Sequence, residues 1–362
     1  MNLLVTGGCG FIGSNVIRHV IDRPGVARLV NLDALTYAGH LETVADVQAH
    51  PKYQFVRADL RDKSAVRQVV RGHDITHVLH LAAESHVDRS IASPGIFIET
   101  NVLGTFHLIE ACREHWGPAA PGGRFVHVST DEVFGSLAGG GAFTEASAFA
   151  PNSPYAASKA AGDLLVRAAH RTHGFPAVIT RASNNFGPFQ YPEKLVPVAI
   201  RNLASCKPVP VYGDGLHVRD WLFVRDHAEA LWRAVERGGA GESYNIGARN
   251  ELTNLQLVER VCDLVDELRP RQAGSSRQLI SFVADRPGHD RRYAMDPAKI
   301  ERELGWRPAH RFDDALRETV RWYLENPEWI RTVTAKTPDT GPGIGPGKTL
   351  RGCRADGQRR VV

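Results

Sequence analysis

The run RFVHVST ends at Thr130 and is followed at once by Asp131 and Glu132, and Tyr155 and Lys159 stand a short way downstream as Y-x-x-x-K. Residues four apart share one face of a helix, so the phenol and the ammonium are neighbours if this stretch is helical. A nearby ammonium favours tyrosinate, which makes Tyr155 a usable base near neutral pH. Ser153 has the chemistry of an N-cap and Pro154 that of a first helical residue. Asp131 and Glu132 add a proton donor and a proton acceptor. If Thr130 closes a buried strand, the whole group lies at the carboxyl edge of a sheet, where open α/β folds bind their ligands. Proton abstraction by the tyrosine together with acid–base removal of water is the chemistry this set supports.

A second group surrounds the first strand. TGGCGFIG places Gly7, Gly10 and Gly13 at a G-x-x-G-x-x-G spacing between a strand and a helix. Glycines there allow a tight turn and close backbone approach, and a pyrophosphate can rest on the helix amides. Asp33 ends the second strand about 20 residues on, where a carboxylate can bond both ribose hydroxyls of NAD and repel the extra phosphate of NADP. Asp59 follows the third strand and LAAES, residues 81–85, the fourth, with small side chains where a cofactor backbone would pass.

The elements that must position these groups follow from periodicity. NLLVT, ARLVNLD, YQFVRAD, HVLHLAA and RFVHVST read as strands that are nearly continuous apolar runs, and FIGSNVIRHVID, KSAVRQVVRG, PGIFIETNVLGTFHLIEACREHW and SPYAASKAAGDLLVRAAHRT read as helices. That alternation predicts an α/β fold, a Rossmann-type doubly wound parallel sheet, over residues 1–182. RDWLFVRDHAEALWRAVERG reads as a helix and ESYNIG as a strand, so that about 216–247 returns to this domain. Residues 183–215 and 248–330 form a smaller substrate-binding domain, with an amphipathic helix at LTNLQLVERVCDLVDELR.

Residues 331–362 read as a disordered basic tail. It holds seven Lys/Arg and two acids, a charge of +5 against +4 for the whole chain, which leaves −1 on the body and no basic surface for nucleic acid. The stretch GIGPGKT in the tail is not a phosphate loop, because Pro342 stands where the first glycine belongs and no strand precedes it. The five cysteines have no metal-ligand spacing, so no metal is expected. No apolar run approaches the roughly 20 residues of a membrane helix, and the N-terminus does not read as a signal peptide. A reducing cytoplasm suits that composition.

The motifs also carry a resemblance. T-D-E-V-F-G, residues 130–135, is similar to the T-D-E-V-Y-G signature of nucleotide-sugar 4,6-dehydratases in the extended short-chain dehydrogenase/reductase family. AAESHVDRSI, NNFGPFQYPEKLVP, VYGDGLHVRDWLFVRDHAEAL, YNIGARNELTNL, DRPGHDRRYAMD and LGWRPAHRFDDALRETVRWYLENPEW resemble its other blocks, in order, from about residue 2 to 329. They are closer to the dTDP-glucose enzymes than to other sugar-nucleotide relatives. Phe134 and Phe186 replace usual tyrosines, and the tail has no counterpart.

The resemblance implies that Phe11, Ile12, Asp33, Ala34, Leu35, Thr36, Asp59, Leu60, Leu81, Ala82, Ala83, Glu84, Ser85, Thr100, Tyr155, Lys159 and Asn185 contact NAD. It implies that Ser85, Thr130, Asn184, Lys194, Leu195, Pro210, Val211, Tyr212, Arg219, Asn254, Asp285, Arg286, Pro287, Gly288 and His289 contact the sugar nucleotide, with Arg219 and Arg286 suited to its diphosphate. In the implied reaction Tyr155 takes the O4 proton as C4 is oxidised. Glu132 then removes the C5 proton, and Asp131 protonates the departing C6 hydroxyl. It also implies a homodimer formed by the helices at about 95–116 and 153–173. An NAD-dependent sugar epimerase shares Tyr155 and Lys159 but needs no acid–base pair for C5 and C6. A non-catalytic NAD-binding regulator typically loses the Tyr/Lys pair. Asp131 and Glu132 argue against the first, and the intact pair against the second.

Overall fold

The computed structural model describes residues 1–117, 122–270 and 274–335. Its centre is a seven-stranded sheet: β1 (Asn2–Thr6), β2 (Arg28–Asp33), β3 (Tyr53–Arg57), β4 (His77–His80), β5 (Arg124–Thr130), β6 (Ala177–Ala182) and β10 (Ser243–Ile246). The order is β10-β6-β5-β4-β1-β2-β3 and every pairing is parallel. A parallel sheet is covered on both faces. Here Phe11–Val20 and Val224–Arg237 cover one face, and Lys63–Gly72, Thr105–Trp116 and Pro154–His173 cover the other. The chain winds outward through β2 and β3 and then returns to the far side of β1 as β4. The switch point therefore lies between β1 and β4, and the crevice at their carboxyl ends is the binding position of such sheets.

The strands are not purely apolar. His80 on β4 and His127 on β5 are fully buried, with ring centroids 5.3 Å apart. His80 Nδ1 is 2.8 Å from Thr6 Oγ1 and its Nε2 is 2.9 Å from Thr105 Oγ1. His127 Nε2 lies 3.3 Å from Asp163, which accepts a 2.7 Å bond from Arg181 Nε. His80 is hydrogen-bonded through both ring nitrogens, and the Asp163 carboxylate is balanced by Arg181 and faced by His127, which keeps the cost of burying these groups down. The row locks the helix Pro154–His173 onto β5 and β6.

A second apolar core gathers Phe186, Trp221, Phe223, Leu257 and Tyr323 under the helices Leu195–Ala204, Asn254–Leu268 and Phe312–Glu325. Its strands are β7 (Asn184–Phe186), β9 (Val218–Phe223) and β11 (Glu251–Thr253) in the order β11-β9-β7, and β8 (Val209–Tyr212) beside β12 (Ile280–Val283).

Four sequence expectations need correction. RDWLFVRDHAEALWRAVERG is not one helix: Val218–Phe223 is a strand, and the helix starts at Val224. Trp221, Leu222 and Phe223 are all buried in succession, which a strand covered on both faces can do and a helix with one apolar stripe cannot. β9 pairs with β7 and β11 rather than in the seven-stranded sheet expected to take back the segment from about 216, although its Leu222 packs on the first core. The helix expected at 94–116 passes through a π-turn, Ile98–Gly104. The tail begins later than residue 331, because a helix runs over Pro327–Ala335 with Val333 fully buried. The rest of the expected disordered tail, with Cys353, lies outside the described residues.

Candidate active site

Gly7 leaves β1 with φ +71°, a left-handed conformation that favours glycine, and a Cβ there would lie 2.8 Å from the Ala82 backbone. A Cβ on Gly13 would lie 2.2 Å from the Gly7 carbonyl, so this turn and helix meet at glycine distance. Gly10 caps the helix Phe11–Val20 without a side-chain bond, which leaves its first-turn amides free for an anion. Asp33 is buried, with one oxygen 2.9 Å from the Cys9 amide and the other 2.8 Å from the Leu35 amide. Burial raises its pKa, and these two amides oppose the rise. Each oxygen keeps a lone pair for a ribose hydroxyl. Asp59 is gripped by Arg61 at 2.6 Å and held below the usual carboxylate range by that bond. These residues fit an NAD molecule.

The catalytic set stands where β5 ends. Thr130 caps the short helix Asp131–Phe134, accepting from the Glu132 amide at 3.3 Å and donating to Asp131 at 3.1 Å. Ser153 caps the next helix by accepting from the Ala156 amide at 3.1 Å, with Pro154 in its first turn. Tyr155 and Lys159 on that helix are both buried, and Lys159 Nζ donates to the Val128 carbonyl at 2.8 Å. Asn101, inside the π-turn, ties the pieces together. Its amide donates to Ser158 Oγ at 2.8 Å and to the Glu84 carbonyl at 3.0 Å, and it accepts from the Glu84 amide at 2.9 Å. The Ser158 hydroxyl donates in turn to the Tyr155 carbonyl at 2.7 Å.

Electrostatics divide the two acids. Burial, and then the charge of Glu132, raise Asp131 to about 8, so it is mostly protonated at neutral pH. Glu132 is raised by burial, but Arg286, Lys194 and Arg219 all favour its charged form. Lys159 is lowered to about 8 by burial, opposed by Asp163. The ammonium was expected to make Tyr155 acidic, and the arrangement differs. Burial and then Glu132 push the phenol upward, and a bond to Thr130 is what opposes them. Tyr155 needs further positive charge before it can act as a base.

One cavity is lined by every residue expected at the cofactor and catalytic sites except Leu35, and also by Asn184 and Lys194. Leu35 contributes only its backbone amide to Asp33, and its side chain packs on the first core. Inside the cavity Asp131 Oδ2 and Asn184 Oδ1 are buried without a protein partner.

Leu195, Pro210, Val211, Tyr212, Arg219, Asn254, Asp285, Arg286, Pro287, Gly288 and His289 do not line it. Leu195 and Val211 turn into the second core. Tyr212 donates to Asp88 at 3.3 Å and Arg286 lies 3.7 Å from the same carboxylate. Arg219 is buried over the Tyr293 ring at 4.3 Å and donates to the Asp290 carbonyl at 2.9 Å. Asp290 accepts from Asn152 at 2.6 Å, so the loop carrying Asp285–His289 is joined to the cap of the catalytic helix. Phe134 and Phe186 pack against Phe143 and Phe223 at 5.0 and 5.6 Å, in apolar surroundings that need no hydroxyl.

The sequence reading missed Tyr37, Arg61, Gln190, Tyr191, Glu193 and His227, which also line the cavity. Tyr37 sits four residues after Asp33, and Gln190 to Glu193 fall in an aromatic, polar loop, so both had a local signal. His227 had none: it comes from the helix Val224–Arg237, and its Nδ1 is 2.9 Å from Asn185 Oδ1.

Comparison with known proteins separates the remaining readings. The sequence profile of the GDP-mannose 4,6 dehydratase family matches residues 4–319. The dTDP-glucose 4,6-dehydratase of Neisseria meningitidis serogroup B is 52% identical over 339 residues, 91% of this chain and 95% of that protein. The dTDP-glucose 4,6-dehydratase 1 of Escherichia coli K12 is 50% identical over 346 residues, 92% and 95% of the two chains. Among solved structures, the dTDP-glucose 4,6-dehydratase of Streptomyces venezuelae with NAD bound superposes with a TM-score of 0.84 at 47% identity, covering 92% of this chain and 100% of that one. The UDP-glucose 4-epimerase of Thermus thermophilus, also with NAD, has a TM-score of 0.79 at 31% identity, covering 90% and 100%. The fold is thus common to both activities, while identity near one half over almost the full length is reached with the dehydratases: the chain belongs to the dTDP-glucose 4,6-dehydratase family.

Proposed function

We propose that the protein converts dTDP-glucose to dTDP-4-keto-6-deoxyglucose and water on a resident NAD, with Thr130, Asp131, Glu132, Tyr155 and Lys159 as its catalytic residues. The observation that carries this reading is the pair of neighbours Asp131, buried and raised toward its protonated form, and Glu132, part-buried and faced by three cations. An epimerase has no use for such a pair.

NAD, when bound along the glycine loop and Lys159, supplies a hydride acceptor for C4, a positive charge beside Tyr155, and the hydride that later reduces C6. Thr130 and Lys159 orient the Tyr155 oxygen, which takes the O4 proton as the phenolate that this added positive charge would favour, its own proton having passed to solvent. The resulting ketone acidifies C5. Glu132 removes the C5 proton, Asp131 gives its proton to the C6 hydroxyl, and water leaves. Glu132 returns a proton to C5 as C6 is reduced. Lys194, Arg219 and Arg286 counter the charge of Glu132 and, with Tyr212, Asn254 and the loop Asp285–His289, hold the sugar nucleotide.

We infer a homodimer from the apolar residues left exposed on two long helices: Ile98, Leu103 and Phe106 on one, at 46%, 48% and 39%, and Leu164 on the other, at 52%. Among the described residues no helix is long and apolar enough to cross a membrane, and Cys9, Cys112, Cys206 and Cys262 are free thiols, which suits a reducing cytoplasm. The large division is a cofactor domain of residues 1–182 with β10 and the helix before it, and a substrate domain from the rest.

Variants should split the reaction. Tyr155→Phe should block C4 oxidation, with no reduced cofactor formed. Glu132→Gln should oxidise C4 and stop, so that NADH absorbance accumulates on the enzyme. Each should lower turnover by roughly 100- to 10,000-fold. Wild-type exchange of the C5 hydrogen with heavy water in Glu132→Gln would remove that residue from its role.

The pH profile follows from the same pair. Asp131 acts in its acid form, so kcat should fall as pH rises through about 8. Glu132 acts as carboxylate, so kcat should also fall below its raised pKa. Lys159 loses its charge over the same range, so Asp131→Asn should be slow and should show a shallower alkaline limb; a limb of unchanged steepness in that variant would assign it to another group. Light scattering at micromolar concentration should give a dimer that Leu103→Arg with Leu164→Arg dissociates, and a monomeric wild type would contradict the interface.

A further inference from the structure

Three metal-type donors meet at the outer wall of the substrate domain. His217 immediately precedes β9, and Asp285 and His289 lie in the loop after β12. His217 Nε2 is 3.3 Å from one oxygen of Asp285, and His289 Nδ1 is 2.7 Å from the other. The two imidazoles stack with centroids 3.7 Å apart and planes 17° from parallel, so both present a nitrogen to the same carboxylate. One donor atom from each residue lies within 4.8 Å of the other two. Bonds of about 2.0–2.2 Å in a tetrahedral site place ligand atoms roughly 3.3–3.5 Å apart, so small side-chain shifts suffice.

The frame is fixed rather than loose. The His217 carbonyl accepts from the Asn254 amide at 2.9 Å, and Asp285 accepts from the Arg286 amide at 2.9 Å. Gly213 has φ +58°, and a Cβ there would crowd the other Asp285 oxygen, the one that faces His217, at 3.0 Å, so the turn leaves that oxygen room. His217 is buried, and its Nδ1 has no protein partner. The charge of Arg219 bears on both imidazoles and that of Arg286 on His289, and both oppose any cation, while Arg291 is occupied by Asp214 at 2.8 Å. That balance disfavours calcium or magnesium, which need several hard oxygen ligands, and leaves the ions that imidazole nitrogen binds well.

We propose that His217, Asp285 and His289 form a binding site for a divalent transition-metal cation of the zinc type, with a fourth position open, and that its occupation competes with the sugar nucleotide. The competition rests on the reading of Asp285 and His289 as substrate contacts; the site itself does not. A metal drawing both residues together would neutralise Asp285 and pull the Arg286 loop away from the nucleotide.

The test uses chelator-treated holoenzyme with its cofactor content checked, and cobalt(II) as the probe. Titration should produce the visible absorption of four- or five-coordinate cobalt, saturating at one equivalent and displaced by zinc. His217→Gln should weaken it by roughly 100-fold or more, since even the loss of an outer-shell partner costs about 10- to 100-fold. The same variant should keep its wild-type turnover in chelator. Absence of the band in wild type, or an unchanged midpoint in His217→Gln, overturns the site. If that variant does not fold, anomalous scattering from a cobalt-soaked wild-type crystal decides: an ion between the three residues supports the site, and an ion elsewhere overturns it. Added dTDP should raise the cobalt midpoint. A midpoint indifferent to dTDP overturns the competition and the substrate role of this loop, separately from the metal site.

Discussion

Two neighbouring carboxylates stand at the end of one strand, Asp131 buried and Glu132 part-buried, and the surrounding structure keeps that arrangement stable. Asp131 and Glu132 cannot both ionise cheaply away from water. The fold resolves this by isolating Asp131, 2% exposed and with one oxygen unpartnered, so that it keeps its proton. Glu132 is instead surrounded by Arg219, Lys194 and Arg286, which come from three separate stretches of the second domain. Two adjacent carboxyls thus stand in different surroundings, one pushed toward its protonated form and the other flanked by cations that favour its charge, as the proposed acid and base roles require.

The parallel sheet provides the floor for this pair. β5 delivers Thr130 to the carboxyl edge beside the switch point, and the buried His127–Asp163–Arg181 contacts fix the catalytic helix above it. Asn101 binds Glu84 on the cofactor side and Ser158 on the catalytic helix, which couples the position of Tyr155 to the cofactor wall. The bond from Asn152 to Asp290 performs the same service for the substrate loop. The π-turn departs from regular helix geometry where Thr100 lines the cavity and Asn101 ties Glu84 to Ser158.

What the sequence made legible was local. The glycine spacing, Asp33, the Ser153–Pro154 cap and Y-x-x-x-K each declare themselves within a few residues, because turn sterics and helix periodicity dictate them. What it hid was long-range. His227 reaches the cavity from a helix over 40 residues beyond Asn185, its partner. Nothing in RDWLF distinguishes a strand from a helix until the cover on both faces is known. The upward shift of the Tyr155 phenol was invisible for the same reason, because burial and the Glu132 charge arise from tertiary packing that Y-x-x-x-K does not encode.

In the proposed reaction one active site oxidises C4, removes water across C5 and C6, and returns the same hydride to C6. The direct test is to incubate the purified protein, with no added cofactor, with dTDP-glucose carrying deuterium at C4, and to locate the label by mass spectrometry and NMR. The label should appear in the C6 methyl group of a 4-keto-6-deoxy product. Label retained at C4 of a 4-epimer, or released into free cofactor, would contradict the claim.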